Sequence, residues 1–406
     1  MQALFLGAGA SFDCGLPLTW ELTAEIRRWL TPERLAAYNA GWEAQGAHWN
    51  DAVIAQMNEW IADEDRHYEQ ILEALARKSQ TADYDFLQRD YRQAYIFFAQ
   101  TVYAFLLERQ AKNFRFASVV LKDYEGLKSL LELNRPLWIF STNQDVVVEL
   151  LAAQWKIPLK SGLQHTQTLT MGDGASTRTI TFESQPNHPE HTPDFFADGE
   201  YGINLVKLHG GLDSFFTDDG RQRLKVKPDP QHLDDYLADL VFINQVNQAL
   251  TIKQDGLVTN RSLYQDAEGK LHALERSLMA GYQHLQDNMP QFNPAPYSLM
   301  QQVLAEVEEL IVIGSRLEIP AINRMLADWL RDDNHRLMIV DSAQRHLPKV
   351  LQDSAGNIRP VCQGATEFFL SLNRHKNVYM SLLHNLQRNM RRKVRMKLLN
   401  SLTTRQ

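Results

Sequence analysis

The sequence predicts an α/β protein with a Rossmann-like parallel sheet, and two observations lead to that fold class. First, four short glycine-rich or polar segments each follow a run of apolar, strand-like residues. Second, residues 310–341 show the order strand, glycine turn, helix and strand, which is typical of a parallel βαβ unit. Ligands of open parallel sheets bind outside the carboxyl ends of the strands. The four segments are therefore expected to meet around one ligand.

The first segment follows a strand predicted at residues 3–6 and precedes a helix predicted at 18–30. It is a loop of small residues, Gly7, Ala8, Gly9, Ala10 and Ser11. Such a loop lets the backbone approach a pyrophosphate and can point N–H groups at the anion. Phe12 occupies the sixth position of the common dinucleotide fingerprint, so the loop alone is a weak indication. A plain strand-to-helix turn remains the alternative.

The second segment follows the strand predicted at residues 137–140 and carries Asn143 and Asp145. Side chains at a strand end emerge into the crevice, where they can contact a ligand. The alternative is a cap for the helix predicted at 146–155, and Asp145 could serve both purposes.

The third segment is His209, which follows a strand predicted at residues 203–208 and precedes two glycines. A lone histidine at a strand end is more often a hydrogen-bonded structural residue. The two glycines favour a functional role, because they let a substrate approach the imidazole.

The fourth segment lies within the late βαβ unit. Gly314 and Ser315 follow a strand at residues 310–313, and a helix is predicted at 320–330 with proline at its start. Asp341 ends the next strand, where an acidic residue can bind ribose hydroxyls.

The predicted organisation is one large domain, residues 1–372, followed by a basic amphipathic helix at 373–406. Helical spacing of apolar residues predicts helical insertions at about 33–133 and 231–285, and alternation predicts a β-hairpin within 163–182. The basic helix contains no acidic residue. It is expected to pack on its own domain or on a second protomer, and contact with nucleic-acid phosphates is the alternative.

The net charge, the length of the apolar runs and the cysteine count indicate where the protein is located in the cell. The net charge of −7 predicts solubility and does not suggest a nucleic-acid partner. No apolar run approaches the roughly 20 residues that cross a bilayer, and the N-terminal apolar stretch is too short for a signal peptide. The two cysteines exclude a disulfide framework. A cytoplasmic protein without a membrane partner is expected.

Taken in order, these segments resemble the sirtuin family. The matching residues are Gly7-Ala8-Gly9-Ala10-Ser11, Gly15-Leu16-Pro17, Thr142-Asn143-Gln144-Asp145, His209-Gly210 and Gly314-Ser315-Arg316-Leu317. The form Lys207-Leu208-His209-Gly210 is more similar to the bacterial sirtuin-like NAD hydrolases of antiphage defence than to the protein deacylases. The resemblance covers residues 1–20, 137–160, 203–213 and 309–342, with both insertions outside it.

The resemblance implies a role for each segment. Asn143 would hold the ribose hydroxyls and the attacking water, and His209 would be the general base. The implied NAD+-binding residues are Gly7, Ala8, Gly9, Ser11, Asp145, Gly314, Ser315 and Asp341. Among them, Asp145 would bind the nicotinamide amide. Ser11, Ser315 and the amides after Gly9 would bind the pyrophosphate. Asp341 would bind the adenosine ribose, although sirtuins often have Asn there.

One departure from the family bears on the reaction. Sirtuin deacylases carry a four-cysteine zinc module, which Cys14 and Cys362 alone cannot form. We therefore expect no metal, and water rather than an acyl-lysine as nucleophile. The implied function is an NAD+ glycohydrolase that depletes NAD+ in antiphage defence. The alternatives are an NAD-dependent deacylase or ADP-ribosyltransferase, and a non-catalytic NAD or ADP-ribose sensor within a nucleic-acid-processing complex.

Such a hydrolase would be lethal if it were always active, which implies a switch. The helical insertions and the basic helix are the candidates for oligomerisation and partner docking. A homo-oligomer is expected. The resemblance favours a HerA-type ATPase as partner over a short Argonaute, because no Argonaute-associated module is visible in the sequence.

Overall fold

The structure is a computed structural model. It describes residues 1–43, 48–173, 176–186, 192–217, 221–253, 261–265, 271–276, 295–343 and 347–372, together with residues 386, 390 and 393. The basic helix predicted at 373–406 lies outside the described residues apart from those last three positions.

The described strands, in chain order, are β1 (Gln2–Leu6), β2 (Leu137–Ser141), β3 (Leu159–Lys160), β4 (His165–Asp173), β5 (Ser176–Pro186), β6 (Ile203–Lys207), β7 (Ser214–Thr217), β8 (Gln222–Val226), β9 (Arg261–Gln265), β10 (Leu271–Arg276), β11 (Glu309–Ile313), β12 (Arg336–Val340) and β13 (Ile358–Val361). The described α-helices are α1 (Thr19–Trp29), α2 (Pro32–Glu43), α3 (Asp51–Ala62), α4 (Tyr68–Thr81), α5 (Asp85–Val120), α6 (Leu127–Leu133), α7 (Val147–Gln154), α8 (Leu233–Lys253), α9 (Ala295–Leu304), α10 (Pro320–Trp329) and α11 (Ala365–Leu372).

Seven strands form a parallel sheet in the order β13-β12-β11-β1-β2-β6-β3. From β1 the chain runs outward through β2 on one side and later returns to build β11, β12 and β13 on the other. The strand order therefore reverses at β1, which is where open α/β sheets bind ligands. Leu6 lies beside both Ile313 and Ser141, so the carboxyl ends of the three central strands coincide. The predicted α/β fold with a parallel sheet and helical insertions is confirmed.

The sheet separates two hydrophobic clusters, because successive side chains of a strand point to opposite faces. In β1, Ala3 and Phe5 belong to one cluster and Leu4 and Leu6 to the other. All four side chains are nearly inaccessible to solvent. The apolar run of this strand therefore reflects burial on both faces, as is usual for parallel sheets.

The stretch between β1 and β2 is helical from α1 to α6. Helix α4 packs against α1 and α5. Its first turn is fixed by His67, whose N–H donates to the side chain of Gln70, and by Tyr68, whose N–H donates to Thr23 on α1. These contacts place the amino end of α4 close to the carboxyl ends of the strands.

A second, antiparallel sheet has the order β4-β5-β8-β7-β10-β9. Strands β4 and β5 form the hairpin predicted from alternation. The prediction that residues 231–285 are mostly helical holds for α8 but is wrong for β9 and β10. In β10 the side chains of Leu274 and Arg276 are buried, at the two-residue spacing of a strand. The alternation in β10 is short, and it follows the helical spacing of apolar residues in α8, so the sequence pattern favoured a helix there.

Within the described ranges, no helix combines the length and the apolar character needed to cross a bilayer.

Candidate active site

A cavity of about 340 Å³ lies at the carboxyl ends of the central strands. Nine of the ten predicted site residues line it, namely Gly7, Ala8, Gly9, Asn143, Asp145, His209, Gly314, Ser315 and Asp341. The four segments are separated by long stretches of sequence, and the common end of parallel strands brings them together.

The glycine loop after β1 docks tightly onto the turn after β11. A Cβ on Gly9 would lie 2.7 Å from the Cα of Gly314, and a Cβ on Gly7 would lie 2.6 Å from the Cα of Ser315. Gly314 has a φ of 64°, a left-handed conformation that favours glycine. The three glycines therefore permit close backbone contact between two loops.

Three N–H groups of the glycine loop form hydrogen bonds with backbone carbonyls of the protein. Gly9 donates to the carbonyl of Gly314 at 2.8 Å, and Ala10 donates to Gly7 at 2.8 Å. The N–H of Ser11 donates to Ala8 at 3.3 Å. Because these amides bind protein carbonyls, a pyrophosphate in the cavity needs other donors.

Asn143 is 9% exposed and directs its amide into the protein. Its Nδ2 donates to the carbonyl of Gly7 at 2.9 Å and to Oγ of Ser11 at 3.2 Å. Both N–H groups are thereby occupied, and Oδ1 is the atom that can accept a hydrogen bond from a hydroxyl or a water.

Ser11, the tenth predicted residue, is not part of the cavity lining. It is 3% exposed and joins Asn143 to Asp145, whose carboxylate accepts its hydrogen bond. Asp145 also accepts from the N–H of Val147, the first residue of α7, at 3.0 Å. Burial raises the pKa of Asp145, although Lys207 opposes that rise. The residue at the N-cap of α7 is Val146, which has no side-chain cap, so Asp145 stabilises the turn before the helix and also lines the cavity.

Buried charges support this part of the site. Lys207 donates to the backbone carbonyl of Asp145 and lies 3.4 Å from Glu149 on α7. Glu149 also accepts from Lys225 on β8 at 2.9 Å, and Lys225 lies 3.5 Å from Asp213. Attraction to Lys207 and Lys225 lowers the pKa of Glu149 despite its burial. The network thus fixes the second sheet to the helix that follows Asn143 and Asp145.

His209 is 1% exposed and is contacted on both sides of its ring. Nε2 forms a hydrogen bond of 3.1 Å with the hydroxyl of Tyr297 on α9. Nδ1 lies 3.9 Å from Oε1 of Glu69 on α4. The imidazole is therefore held at the wall of the cavity rather than projecting into it.

Glu69 and Tyr68 were missed by the sequence analysis, yet both line the cavity. Burial raises the pKa of Glu69 to about 7, with a further rise from Glu318 and an opposing hydrogen bond from Tyr68. The carboxylate lies in a helical insertion far from the recognised segments. The one local signal is its place in the first turn of a helix with reciprocal capping.

The cavity lining is rich in carboxylates. Four acidic residues line it: Glu69, Asp145, Glu318 and Asp341. Among the described residues of the lining, Arg316 is the one lysine or arginine. Arg316 is partly paired with Glu318 at 3.5 Å. A ligand with an anionic part near Arg316 and a cationic part near the carboxylates fits this charge pattern.

The remaining predicted residues border the same cavity. The hydroxyl of Ser315 accepts from the N–H of Leu317 at 3.2 Å, which stabilises the turn after β11. Asp341 follows β12 and accepts from the N–H of Ala343 at 2.9 Å. In the described residues, no group of three histidine, cysteine or acidic side chains is arranged to hold a metal ion.

Fold and site together define an α/β protein with a ligand cavity at the switch point of a parallel sheet. No protein-family model and no curated protein sequence matches the chain. Among solved structures, a Sir2–p53 peptide–NAD+ complex aligns at 11% identity over 92% of this chain and 91% of that chain, with a TM-score of 0.35.

Two further structures align to the same extent. A Sir2 homologue–NAD complex shares 12% identity over 92% of this chain and 88% of that one, with a TM-score of 0.37. A Sir2 homologue variant in complex with ADP-ribose shares 12% identity over 94% and 93% of the two chains, also with a TM-score of 0.37. The chain is thus similar to Sir2 structures over most of its length, at low sequence identity.

Proposed function

We propose that this protein is an NAD+ glycohydrolase that cleaves NAD+ to nicotinamide and ADP-ribose. The observation that carries the proposal is the meeting of Asn143, His209 and the glycine loop at one cavity where the strand order reverses. An ordered sequence motif and a shared cavity are independent properties, and both point to the same residues.

The charge pattern of the cavity suits this reaction. When the bond between nicotinamide and ribose breaks, neutral nicotinamide leaves with the bonding electron pair and positive charge develops on the ribose. Carboxylates near that carbon lower the energy of the charged transition state. Glu69 and Asp145 supply such groups, and Arg316 supplies a cation for the pyrophosphate.

Three of the predicted residues have a defined task in this proposal. Oδ1 of Asn143 accepts from a ribose hydroxyl or from the attacking water. His209 takes up the proton that the water loses, directly or through a neighbouring group. Asp341 accepts from the hydroxyls of the adenosine ribose, as the acidic residue at such a strand end does in dinucleotide-binding folds.

In the cell, we propose that this activity depletes NAD+ during antiphage defence under the control of a partner. The sequence resemblance supports a HerA-type ATPase as that partner more than a short Argonaute, and it supports a homo-oligomer. The basic segment at 373–406 is the proposed docking element for a partner or for nucleic acid.

The test is nicotinamide release from NAD+, followed by chromatography, with and without a HerA-type ATPase. The chain, its His209→Ala variant and its His232→Ala variant are compared. His232 is a matched control because it is exposed and pairs with Asp229, outside the cavity lining.

We expect release by the chain and by His232→Ala, and a loss of at least 100-fold in His209→Ala. NAD+ binding without release under either condition would contradict the hydrolase and favour the sensor. Transfer of ADP-ribose to a protein, or removal of an acyl group from lysine, would favour the transferase or deacylase.

A further inference from the structure

Glu69 and His209 lie against each other at the cavity wall but differ in accessibility. Oε1 of Glu69 lies 3.9 Å from Nδ1 of His209, and the two side chains are 25% and 2% exposed. The Nδ1 atom itself is inaccessible to solvent. A molecule in the cavity therefore reaches the carboxylate before it can reach Nδ1.

The other nitrogen of the imidazole is directed elsewhere. Nε2 is hydrogen-bonded to Tyr297, which is 4% exposed and does not line the cavity. A proton that enters the ring from the cavity must therefore arrive at Nδ1, the atom that Glu69 covers.

We propose that Glu69 is a catalytic residue that accepts the proton at the cavity surface and passes it to His209. The inference rests on the proposed NAD+ hydrolysis and adds a second acid–base group to it. As the bond between nicotinamide and ribose breaks, the water oxygen bonds to the ribose carbon. The water O–H bond breaks at the same stage, and its proton moves to the carboxylate of Glu69. Oε1 then passes a proton to Nδ1 of His209 as the 3.9 Å gap between these atoms closes.

The surroundings of Glu69 suit a base that works near neutral pH. The hydroxyl of Tyr68 donates to Oε1 at 3.3 Å, and Glu318 faces the carboxylate from the turn after β11. Burial, together with Glu318, raises the pKa of Glu69 to about 7. The neighbouring helices α1 and α5 contribute only uncharged lining residues, which are Thr19, Leu22 and Leu106.

The experiment compares the pH dependence of kcat and KM for NAD+ in the chain, Glu69→Gln, Glu69→Asp, His209→Ala and Glu73→Gln. Glutamine keeps the shape of Glu69 and an acceptor for Tyr68, but it cannot carry the proton. Glu73 is a matched control, because it lies one turn further along α4 and outside the cavity lining. Thermal unfolding of each variant confirms that it is folded.

We expect kcat of Glu69→Gln to fall at least 100-fold with KM changed less than about threefold. Log kcat of the chain should rise with pH up to about 7, and Glu69→Gln should lose this rise. The residual activity of His209→Ala should still rise with pH up to about 7. Glu69→Asp should recover part of the activity, and Glu73→Gln should match the unmodified chain.

Two results overturn the assignment of Glu69 while leaving NAD+ hydrolysis intact. These are an unchanged kcat in Glu69→Gln, or a rise in KM alone, which would make Glu69 a substrate-binding group. Absence of nicotinamide release from the unmodified chain is a different result, which overturns the proposed function and this inference with it.

Discussion

The side-chain amide of Asn143 donates to the backbone carbonyl of Gly7 at 2.9 Å, across 136 positions of sequence. The end of β2 is thereby tied to the loop after β1. The loop geometry and the orientation of Asn143 depend on each other, so a change at Asn143 affects both binding and stability.

Replacing Asn143 with Asp tests this dependence. The variant loses both donors and faces the carbonyl of Gly7 with a carboxylate. We expect loss of nicotinamide release and a decrease of about 1–3 kcal/mol in the free energy of unfolding. Urea unfolding measures the decrease, and the exposed Asn334→Asp variant controls for the added charge. Unchanged stability would show that the bond to Gly7 contributes nothing.

Replacing Gly314 with Ala tests the contact between the two loops. The new Cβ would lie 2.3 Å from the backbone N of Ala10, and the residue has a positive φ. We expect a loss of roughly 2–4 kcal/mol in the free energy of unfolding.

The contrasting variant is Gly41→Ala in helix α2, where the added Cβ would have no neighbouring atom within 4 Å outside the helix backbone. Alanine is the better helix former, so this change should stabilise the protein by up to about 1 kcal/mol. Equal effects of the two variants on denaturant midpoints would contradict the proposed crowding at Gly314.

Replacing Lys225 with Met tests the buried charge network. The change leaves Glu149 with Lys207 alone and removes the cation beside Asp213. Because an uncompensated buried charge is costly, we expect a loss of about 3–5 kcal/mol. The exposed pair of Lys112 and Glu108 gives the control, since Lys112→Met should change stability by less than about 1 kcal/mol.

The raised pKa of Glu69 should make the free energy of unfolding depend on pH. Its pKa rises from 4.5 to about 7 on folding, so between these values the folded state binds a proton that the unfolded state has lost. This contribution favours folding at low pH and disappears as the pH rises through about 7. Glu69→Gln cannot ionise, and its stability relative to the unmodified chain should increase by roughly 3 kcal/mol between pH 4.5 and pH 8.

Urea unfolding at several pH values measures that difference, with the exposed Glu43→Gln variant as control. A difference between Glu69→Gln and the unmodified chain that stays constant with pH would contradict the raised pKa.

Sequence reasoning succeeded where a local pattern determines the structure. The strands around Leu6, Ser141 and Ile313 were found because buried parallel strands are short apolar runs, and their ends then place the site. Strand β12 has the predicted bounds, and α10 begins at the predicted Pro320.

The parts that were missed depend on tertiary contacts. Glu69 lies on a helix whose own sequence is ordinary, and the packing of α4 against α1 and α5 places it beside His209. The antiparallel sheet was predicted only at its hairpin, because β8, β9 and β10 mix charged and polar residues with apolar ones and are not apolar runs. Lys225 on β8 shows the difficulty, since a lysine in a short strand gives no sign that it is buried.

The lining of the cavity runs from Gly7, near the start of the chain, to Ala365, near the end of the described domain. During synthesis the glycine loop leaves the ribosome long before Asp341 and Ala365 do. A nascent chain therefore has no complete cavity, and a chain truncated before Asp341 lacks part of its lining. Any activity of this site therefore begins only after translation has passed Ala365.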